Sequence, residues 1–334
     1  MIERRKSLMN QTDIYFWNPV IHWCVRGENI VIGDVKLPKK ILELFVQMYS
    51  CTQNGISYDG LQQLDWPVEM EKVHKLFGIL VKRNICIRHV NTPSQLFEAQ
   101  SKLVQSKYSE EYFLNAAHVE AYRKLQLERN KEKKHTQSEI SLNGDMDLPE
   151  FITARHSTRQ FDTAKVISLE VFKNLLGVFA TQDGRKYLYP SAGGLYPVNV
   201  YVYVKKGRIE GIAEGLYYYN PYYNSIAMIQ EGNVISEDSQ YFTNREIFLT
   251  SGITLYFTYC GDVNMTKYGG NGYLYGILDC GIMVGLVENC AQYLGLSSCS
   301  IGDMDFDSIK ESFLLEEQEV YLHSIEIGYE ESKR

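Results

Sequence analysis

The stretch that decides the fold is Arg155-His156-Ser157-Thr158-Arg159-Gln160-Phe161-Asp162. It places two guanidinium groups and two hydroxyl groups within five residues, just before a helix predicted from about Ser168 to Ala180 with the serine as its N-cap. Guanidinium and hydroxyl donors match the oxygens of a phosphate, whereas a solvated turn usually mixes in acids. Taken alone, the stretch is equally consistent with an anion site and with a basic surface turn.

Two further segments have the composition of a ligand site. Residues 189–197 read Y-P-S-A-G-G-L-Y-P and precede an alternating strand predicted from Val198 to Val204. Small residues between prolines let backbone amides approach a flat ligand, although the same letters also suit an ordinary Gly-Gly turn. Residues 294–305, L-G-L-S-S-C-S-I-G-D-M-D, follow a long apolar-rich helix predicted from Tyr273 to Leu296. Together the three segments predict a site for a planar cofactor that carries a phosphate.

The composition of the 334 residues is that of a globular protein long enough for two domains, with 45% hydrophobic and 22% charged residues. A formal net charge of −7 provides no basic surface for a phosphate backbone, so we expect no nucleic-acid partner. The seven cysteines form no CxxC pair and no Cys/His cluster at zinc spacing. We therefore expect reduced core thiols and no metal site.

The sequence predicts neither secretion nor a membrane association. The residues after Met1 are polar and aromatic and lack the apolar run of a secretory signal, so we expect a cytoplasmic protein. The apolar stretch from Tyr273 to Leu296 is interrupted by Asp279, Glu288 and two amide side chains, which would be costly in lipid. We therefore expect a buried helix there.

Three regions are predicted along the chain: a winged-helix-like interaction domain at residues 1–100, a helical bridge and linker at 101–148, and the ligand-binding domain at 149–334. The first region has short strands between Thr12 and Lys36, and then helical periodicity up to Lys82 before a strand-like run. Three helices followed by a strand pair is the outline of a winged helix. The balanced charge on its last helix favours an interaction module over a DNA reader.

The three ligand segments resemble the FMN-dependent nitroreductase superfamily over roughly residues 150–330. The resemblance rests on an R-[RH]-S-x-[RK]-x-F opening, a P-S loop and a helix that ends in G-L-x-x-x-x-I-G. The letters P-S-A-G-G-L-Y-P at 190–197, G-L-Y-Y-Y-N-P at 215–221 and K-Y-G at 267–269 are similar to the SagB/McbC branch, the azoline dehydrogenases of thiazole- and oxazole-containing peptides. This implies an α+β domain with a central antiparallel sheet flanked by helices.

The resemblance also implies a role for each matching residue. Arg155 and Ser157 would hold the FMN phosphate, and Arg159 would lie by the N1/O2 side of the ring system, where a cation stabilises the reduced flavin. The backbone NH of Gly302, or of a neighbour, would donate to N5. The full set of expected cofactor contacts is Arg155, His156, Ser157, Arg159, Pro190, Ser191, Ala192, Gly193, Ile301 and Gly302. In this superfamily the site lies at a homodimer interface, to which the helix from Tyr273 would contribute.

Lys267 and Tyr268 would be the catalytic pair of an azoline dehydrogenase. Oxidation of an azoline to an azole removes a hydride and a proton, so one of the two side chains must act as the base. Without the resemblance the pair would be an ordinary Lys-Tyr in a loop. The chain departs from the branch just after it, where Asn271-Gly272-Tyr273 and Gly281-Ile282 replace an arginine-bearing run and a Gly-His. These departures bear on the substrate more than on the cofactor.

Three other interpretations remain open at this stage. One is a reductase that passes electrons from NAD(P)H to a nitro or quinone acceptor. Another is a non-catalytic winged-helix scaffold with a degenerate flavin domain. The third is a Rossmann domain, suggested by G-N-G-Y-L-Y-G at residues 270–276, but this spacing is G-x-G-x-x-x-G and no second strand ending in an acid follows. The leading hypothesis is an FMN-dependent azoline dehydrogenase with a peptide substrate, a cyclodehydratase or similar partner, and O₂ as final acceptor.

Overall fold

The computed structural model describes residues 12–88, 108–131, 144, 147–182, 184, 186–316 and 319–332. The described residues fall into two compact units. One unit consists of those up to Trp17, those from Glu43 to Pro93, and those from Leu148 onward. The other consists of those from Asn18 to Leu42 and from Ser94 to Asp147. Most of the predicted linker at residues 136–147 lies outside the described residues, and the boundaries at 100 and 148 stay predictions.

The N-terminal region begins with short strands, continues with helices and ends in a strand, as the sequence predicts. Its elements are β1 (Phe16–Trp17), β2 (Trp23–Arg26), β3 (Asn29–Ile32), β4 (Val35–Pro38), α1 (Leu42–Gln53), α2 (Tyr58–Leu61), α3 (Met70–Lys82) and β5 (Cys86–Ile87). Strands β2, β3 and β4 form an antiparallel meander of their own. Glycines with positive φ, Gly27 and Gly33, occupy its two turns.

The three predicted helices of this region are present, but the strand pair is formed differently from the expectation. Strand β5 pairs with β1, which precedes the helices, instead of with a following strand inside the described residues. The apolar positions of α3 are buried at helical spacing, for example Val73, Phe77 and Leu80. Phe77 packs edge-on against Tyr15, with ring centroids 5.6 Å apart. A strand before α1 and a strand after α3 thus close the helical layer together.

The remaining elements are one helix of the predicted bridge, given first, and those of the C-terminal region. They are α4 (Ala116–Lys131), α5 (Glu150–Thr153), α6 (Leu169–Gly177), β6 (Val198–Val204), β7 (Gly215–Asn220), β8 (Ser225–Glu231), α7 (Phe242–Thr250), β9 (Ile253–Cys260), α8 (Gly261–Tyr268), α9 (Asn271–Tyr293), β10 (Ser297–Ile301) and β11 (Glu319–Gly328). As predicted, Ser168 caps α6, because its hydroxyl accepts from the amide of Val171 at 3.3 Å.

Six of these strands form one sheet in the order β10-β11-β9-β6-β7-β8. Each neighbouring pair is antiparallel, which confirms the predicted α+β domain and is incompatible with a Rossmann domain, whose sheet is mainly parallel. Side chains alternate between the two faces. Val200, Val202 and Val204 enter the core cluster that contains residues of α6 and α9, while Tyr201 and Tyr203 enter the cluster on the other face. All eight residues of β9 are buried.

The long helix α9 is buried on one face against the sheet, and its other face, which the resemblance expects to meet a second subunit, is exposed within this chain. Cys280, Met283 and Val287 are buried against the sheet. On the opposite side Leu274 and Leu278 are more than half exposed, at 53% and 56%. Within the described part of the chain, α9 is the one helix whose length and apolar composition would suffice to cross a membrane. Its packing against the sheet places it in the core of this domain.

Candidate functional site

Residues 155–159, here called the arginine segment, lie along the edge of the sheet beside β10. Ser157 and Ser298 form a parallel bridge, and the amide of Thr158 donates to the carbonyl of Ser298 at 2.9 Å. The next apolar residue, Phe161, is buried with Cys299 and Ile301. The backbone and the phenylalanine therefore anchor the segment, and the structure brings the first and third predicted ligand segments together.

The donors of the arginine segment remain available to a ligand. Arg155, Ser157 and Arg159 are exposed, and none of their side chains forms a hydrogen bond or an ion pair with another residue that the structure describes. A cavity of about 490 Å³, in the size range of small-molecule and cofactor sites, is lined by Ser157 and Arg159, while Arg155 lies just outside its lining. Its lining residues are His156, Ser157, Thr158, Arg159, Gln160, Glu330, Glu331 and Ser332.

His156 differs from its neighbours because both of its ring nitrogens have partners within the chain. Nδ1 lies 3.0 Å from the carbonyl oxygen of Ala154, and Nε2 lies 3.0 Å from a carboxylate oxygen of Glu330. Glu330 also accepts from the hydroxyl of Ser297 at 3.4 Å. His156 thus pairs with Glu330, one of the two glutamates that line the cavity. Arg155, Ser157 and Arg159 are therefore the better candidates to bind an anion.

Strand β10, which lies beside the arginine segment, is followed by an exposed glycine. Ile301 is the last residue of the strand and is buried, whereas Gly302 is exposed. A Cβ atom placed on Gly302 would meet no atom within 4 Å. The strand therefore ends at an exposed glycine with open space on its side-chain side.

Residues 190–194, here called the proline loop, are held by the core helix α9. The hydroxyl of Ser191 donates to the carboxylate of Asp279 at 2.6 Å and accepts from the amide of Tyr196 at 2.9 Å. The backbone of Ala192 also lies close enough to Asp279 to favour its ionised form. Burial raises the pKa of Asp279, and the hydrogen bond from Ser191 and the backbone of Ala192 act in the opposite direction. Sequence reasoning treated Asp279 only as an interruption of an apolar helix.

The predicted catalytic pair lies directly against the proline loop. Gly193 has a φ of 67°, and a Cβ atom there would collide with the hydroxyl of Tyr268 and lie 2.9 Å from Nζ of Lys267. Nζ of Lys267 lies 5.1 Å from the centroid of the Tyr268 ring. Tyr268 in turn packs edge-on against Tyr275 of α9 at 5.3 Å. The structure therefore brings the second ligand segment and the Lys-Tyr pair into contact.

A buried amide fixes the helix that carries this pair. Asn264 of α8 is fully buried, accepts from the hydroxyl of Tyr259 at 2.5 Å and donates to the carbonyl of Gly272 at 3.0 Å. It thereby ties α8 both to β9 and to the start of α9. Gly276 packs flat on the Tyr259 ring, where a Cβ atom would not fit. No motif in the sequence marks Asn264, since its role depends on contacts among three elements.

The candidate site therefore has two clusters. One consists of the arginine segment, the end of β10 and the residues around Glu330. The other consists of the proline loop, Asp279 and the Lys267-Tyr268 pair. The residues that line the cavity come from the first cluster and include none from the proline loop.

Comparison with known proteins places this domain among proteins of one family. Residues 152–329 match the family model described as the nitroreductase family. A protein of Methanocaldococcus jannaschii whose name places it among the nitroreductases is 26% identical over 179 residues, which cover 53% of this chain and 89% of that protein. An FMN-dependent nitroreductase of Clostridium difficile, with 16% identity and a TM-score of 0.36, covers 55% of this chain and 88% of its own.

A second solved structure aligns over a larger part of the chain. It is the E. coli microcin synthetase McbBCD complex with truncated pro-MccB17 bound, and one of its chains has a TM-score of 0.51 at 15% identity. The alignment covers 79% of this chain and 95% of that chain. The likeness of fold therefore extends beyond residues 152–329 into the preceding region.

Proposed function

The chain belongs to the nitroreductase family of oxidoreductases, and within it we propose an FMN-dependent dehydrogenase that oxidises azoline rings, thiazoline or oxazoline, to azoles in a ribosomally synthesised peptide. The observation that carries the proposal is the contact of Gly193 with Lys267 and Tyr268. It places two side chains capable of proton transfer against the loop that would pack on the flavin. The likeness of fold to a microcin synthetase chain, whose complex holds a peptide, supports the choice of substrate class.

The residues of the first cluster fit FMN. Arg155 and Ser157 would hold its phosphate, because they are exposed donors with no partner in the described part of the chain. Arg159, which lines the cavity, would lie beside the ring system, and Gly302 offers an open backbone position. Ile301 orients that position from the core, and Pro190 to Gly193 would pack along the ring edge. When bound, FMN supplies the acceptor for the hydride that leaves the azoline.

The chain's own contribution to the reaction is proton removal. An azoline becomes an azole by losing one hydride and one proton, and with O₂ as final acceptor the products are the azole and hydrogen peroxide. Tyr268 or Lys267 takes the proton, and Gly193 determines how closely the pair lies to the proline loop. The edge-on ring of Tyr275 restricts the rotation of Tyr268.

The assembly we propose is a homodimer built on the exposed face of α9. This face carries exposed apolar side chains at helical spacing: Leu274, Ile277, Leu278 and Ile282. A contiguous exposed apolar face of this kind marks a protein interface. The N-terminal region would dock the peptide or a cyclodehydratase subunit, and the complex would work in the cytoplasm.

The test begins with the visible absorbance of the purified full chain and identification of any released cofactor. We expect a flavin spectrum, present on purification or acquired with added FMN. The loaded protein, given O₂ and a peptide that carries thiazolines or oxazolines, should remove two hydrogens per ring, as measured by mass spectrometry. The same peptide before ring formation is the control and should keep its mass.

Two results would overturn the proposal. A colourless protein that takes up no FMN would leave a scaffold without flavin chemistry. A flavoprotein that NADPH reduces rapidly in steady state, and that leaves azolines unchanged, would be a reductase of nitro or quinone compounds. The dimer is tested separately by light scattering of wild type and Leu278→Glu, and a wild-type monomer would contradict it.

A further inference from the structure

Asp279 is a buried carboxylate to which the function proposed above assigns no part. It lies in the middle of α9 with 5% of its surface exposed. No ion pair joins it to any basic side chain among the described residues. Its contacts are the hydroxyl of Ser191 at 2.6 Å and the backbone of Ala192, both in the proline loop.

We propose that Asp279 is a positioning residue that holds the proline loop so that Gly193 lies beneath Lys267 and Tyr268. The carboxylate accepts from the hydroxyl of Ser191, and that hydroxyl accepts from the amide of Tyr196, so the loop is tied to α9 at one end and to its own following residues at the other. This inference rests on the proposed function, because the position of Gly193 matters only if the Lys-Tyr pair acts there.

The same contacts change the role expected for Ser191. Its hydroxyl donates to Asp279 and accepts from the amide of Tyr196, so its proton and one lone pair are already used within the chain. The Ser191 side chain therefore shapes the loop, and the loop meets the flavin through its backbone and through Pro190, Ala192 and Gly193.

Burial of this carboxylate opposes folding, which argues against a purely structural role. Desolvation raises the pKa of Asp279 in spite of its contacts with Ser191 and Ala192, so the ionised form costs more in the folded protein than in water. An apolar residue would fill a position in a core helix at lower cost. A buried group that opposes stability and aims a loop is typical of functional sites.

The test is hydrogen–deuterium exchange of the peptide covering residues 187–197, measured by mass spectrometry without added flavin or substrate. Asp279→Leu removes the acceptor, and Ser191→Ala removes the donor from the other side in case the first variant does not fold. We expect exchange at Ala192 and Tyr196 to become about tenfold faster, the effect of losing one hydrogen bond of average strength. Asp279→Asn, which keeps one acceptor, should give a smaller increase.

The matched control is Val287→Ala, which opens a cavity under the same helix about two turns from Asp279 and whose apolar side chain forms no hydrogen bond with the loop. It should leave exchange in residues 187–197 unchanged relative to the rest of the domain. Equal exchange in wild type, Asp279→Leu and Ser191→Ala would overturn the proposal, and so would an equal increase in Val287→Ala.

A second readout separates positioning from stability. In the FMN-loaded enzyme, Asp279→Asn should lower kcat for the azoline peptide while KM and the melting temperature stay near their wild-type values. A parallel fall of kcat and melting temperature would indicate a structural role only. Because exchange is measured without flavin, failure of the azoline assay would refute the proposed function and leave the positioning result intact.

Discussion

The two clusters of the candidate site are built in opposite ways. The arginine segment has a fixed backbone, and three of its side chains, Arg155, Ser157 and Arg159, have no partner among the described residues. In the proline loop the polar groups of Ser191 are paired within the chain, and Gly193 is covered by two side chains. The first cluster has unpaired donors that can bind an anionic ligand. In the second cluster the residues contact and position one another.

This difference predicts where substitutions act. Removal of a free donor takes away a contact to the ligand and leaves the fold unchanged. Removal of a paired group in the second cluster displaces its neighbours, and the effect then reaches catalysis through geometry. The following predictions are arranged from the largest expected effect to the smallest.

The largest effect is expected from Tyr268→Phe. If the phenol takes part in proton transfer, its loss should lower turnover of the azoline peptide by about 10²- to 10⁴-fold while bound FMN is retained. Single-turnover kinetics together with the flavin absorbance measure both quantities. The matched control is Tyr275→Phe, which removes a hydroxyl from the ring that packs on Tyr268. Equal turnover in Tyr268→Phe and wild type would exclude the phenol as the base and leave Lys267.

The next largest effect is expected in the first cluster, which contains the arginine segment. Arg155→Ala should weaken FMN binding by about 10- to 100-fold, the value of one hydrogen bond between charged groups, without a change in melting temperature of the flavin-free protein. Titration of the flavin-free protein with FMN, followed by fluorescence quenching, measures the affinity. Lys173→Ala, at an exposed cation of α6, is the control and should bind FMN as the wild type does. Unchanged affinity in Arg155→Ala would move the phosphate site elsewhere.

The same contrast explains what could be predicted from the sequence. The elements of the C-terminal domain follow from local patterns, such as the Ser168 cap and the alternation from Val198 to Val204. The arginine segment was recognisable because its hydrogen-bond donors are neighbours in the sequence. Asp279 and Asn264 were not recognisable, because the partner of Asp279 is 88 residues away and the partners of Asn264 lie on two other elements, β9 and α9.

The exposed face of α9 shows that apolar composition alone does not predict which side of a helix is buried. The apolar residues of the stretch predicted a buried helix, but a helix that packs on a sheet with one side presents its other side outward whatever the composition. Leu274 and Leu278 are therefore exposed although their neighbours are core residues. Only the tertiary arrangement separates a face that meets the sheet from one that would meet a second subunit.

A smaller effect is expected from a pair of glycine variants in the proline loop. Gly193 and Gly194 both have a φ of 67°, so Gly193→Ala and Gly194→Ala impose a similar backbone strain of about 1 kcal/mol. Only Gly193→Ala also places a methyl group against Lys267 and Tyr268, whereas a Cβ at Gly194 meets no atom within 4 Å. We expect about tenfold lower kcat for Gly193→Ala than for Gly194→Ala at similar melting temperatures. Equal kcat values in the two variants would mean that the Lys-Tyr pair tolerates displacement.

The smallest effect concerns the pH dependence of stability at Asp279. Because burial raises the pKa of this carboxyl above its ordinary value of 3.8, its contribution to stability is fully present below that value and is lost as the pH rises through the folded-state pKa. Asp279→Asn has no such loss. The free energy of unfolding of the variant minus that of wild type should therefore increase from acid to neutral pH and then level off, as measured by urea denaturation at several pH values. In a Ser191→Ala background the increase should be larger, since the hydroxyl that favours the ionised form is gone; a difference that decreases with pH would mean that the hydrogen bonds of the proline loop outweigh the burial of Asp279.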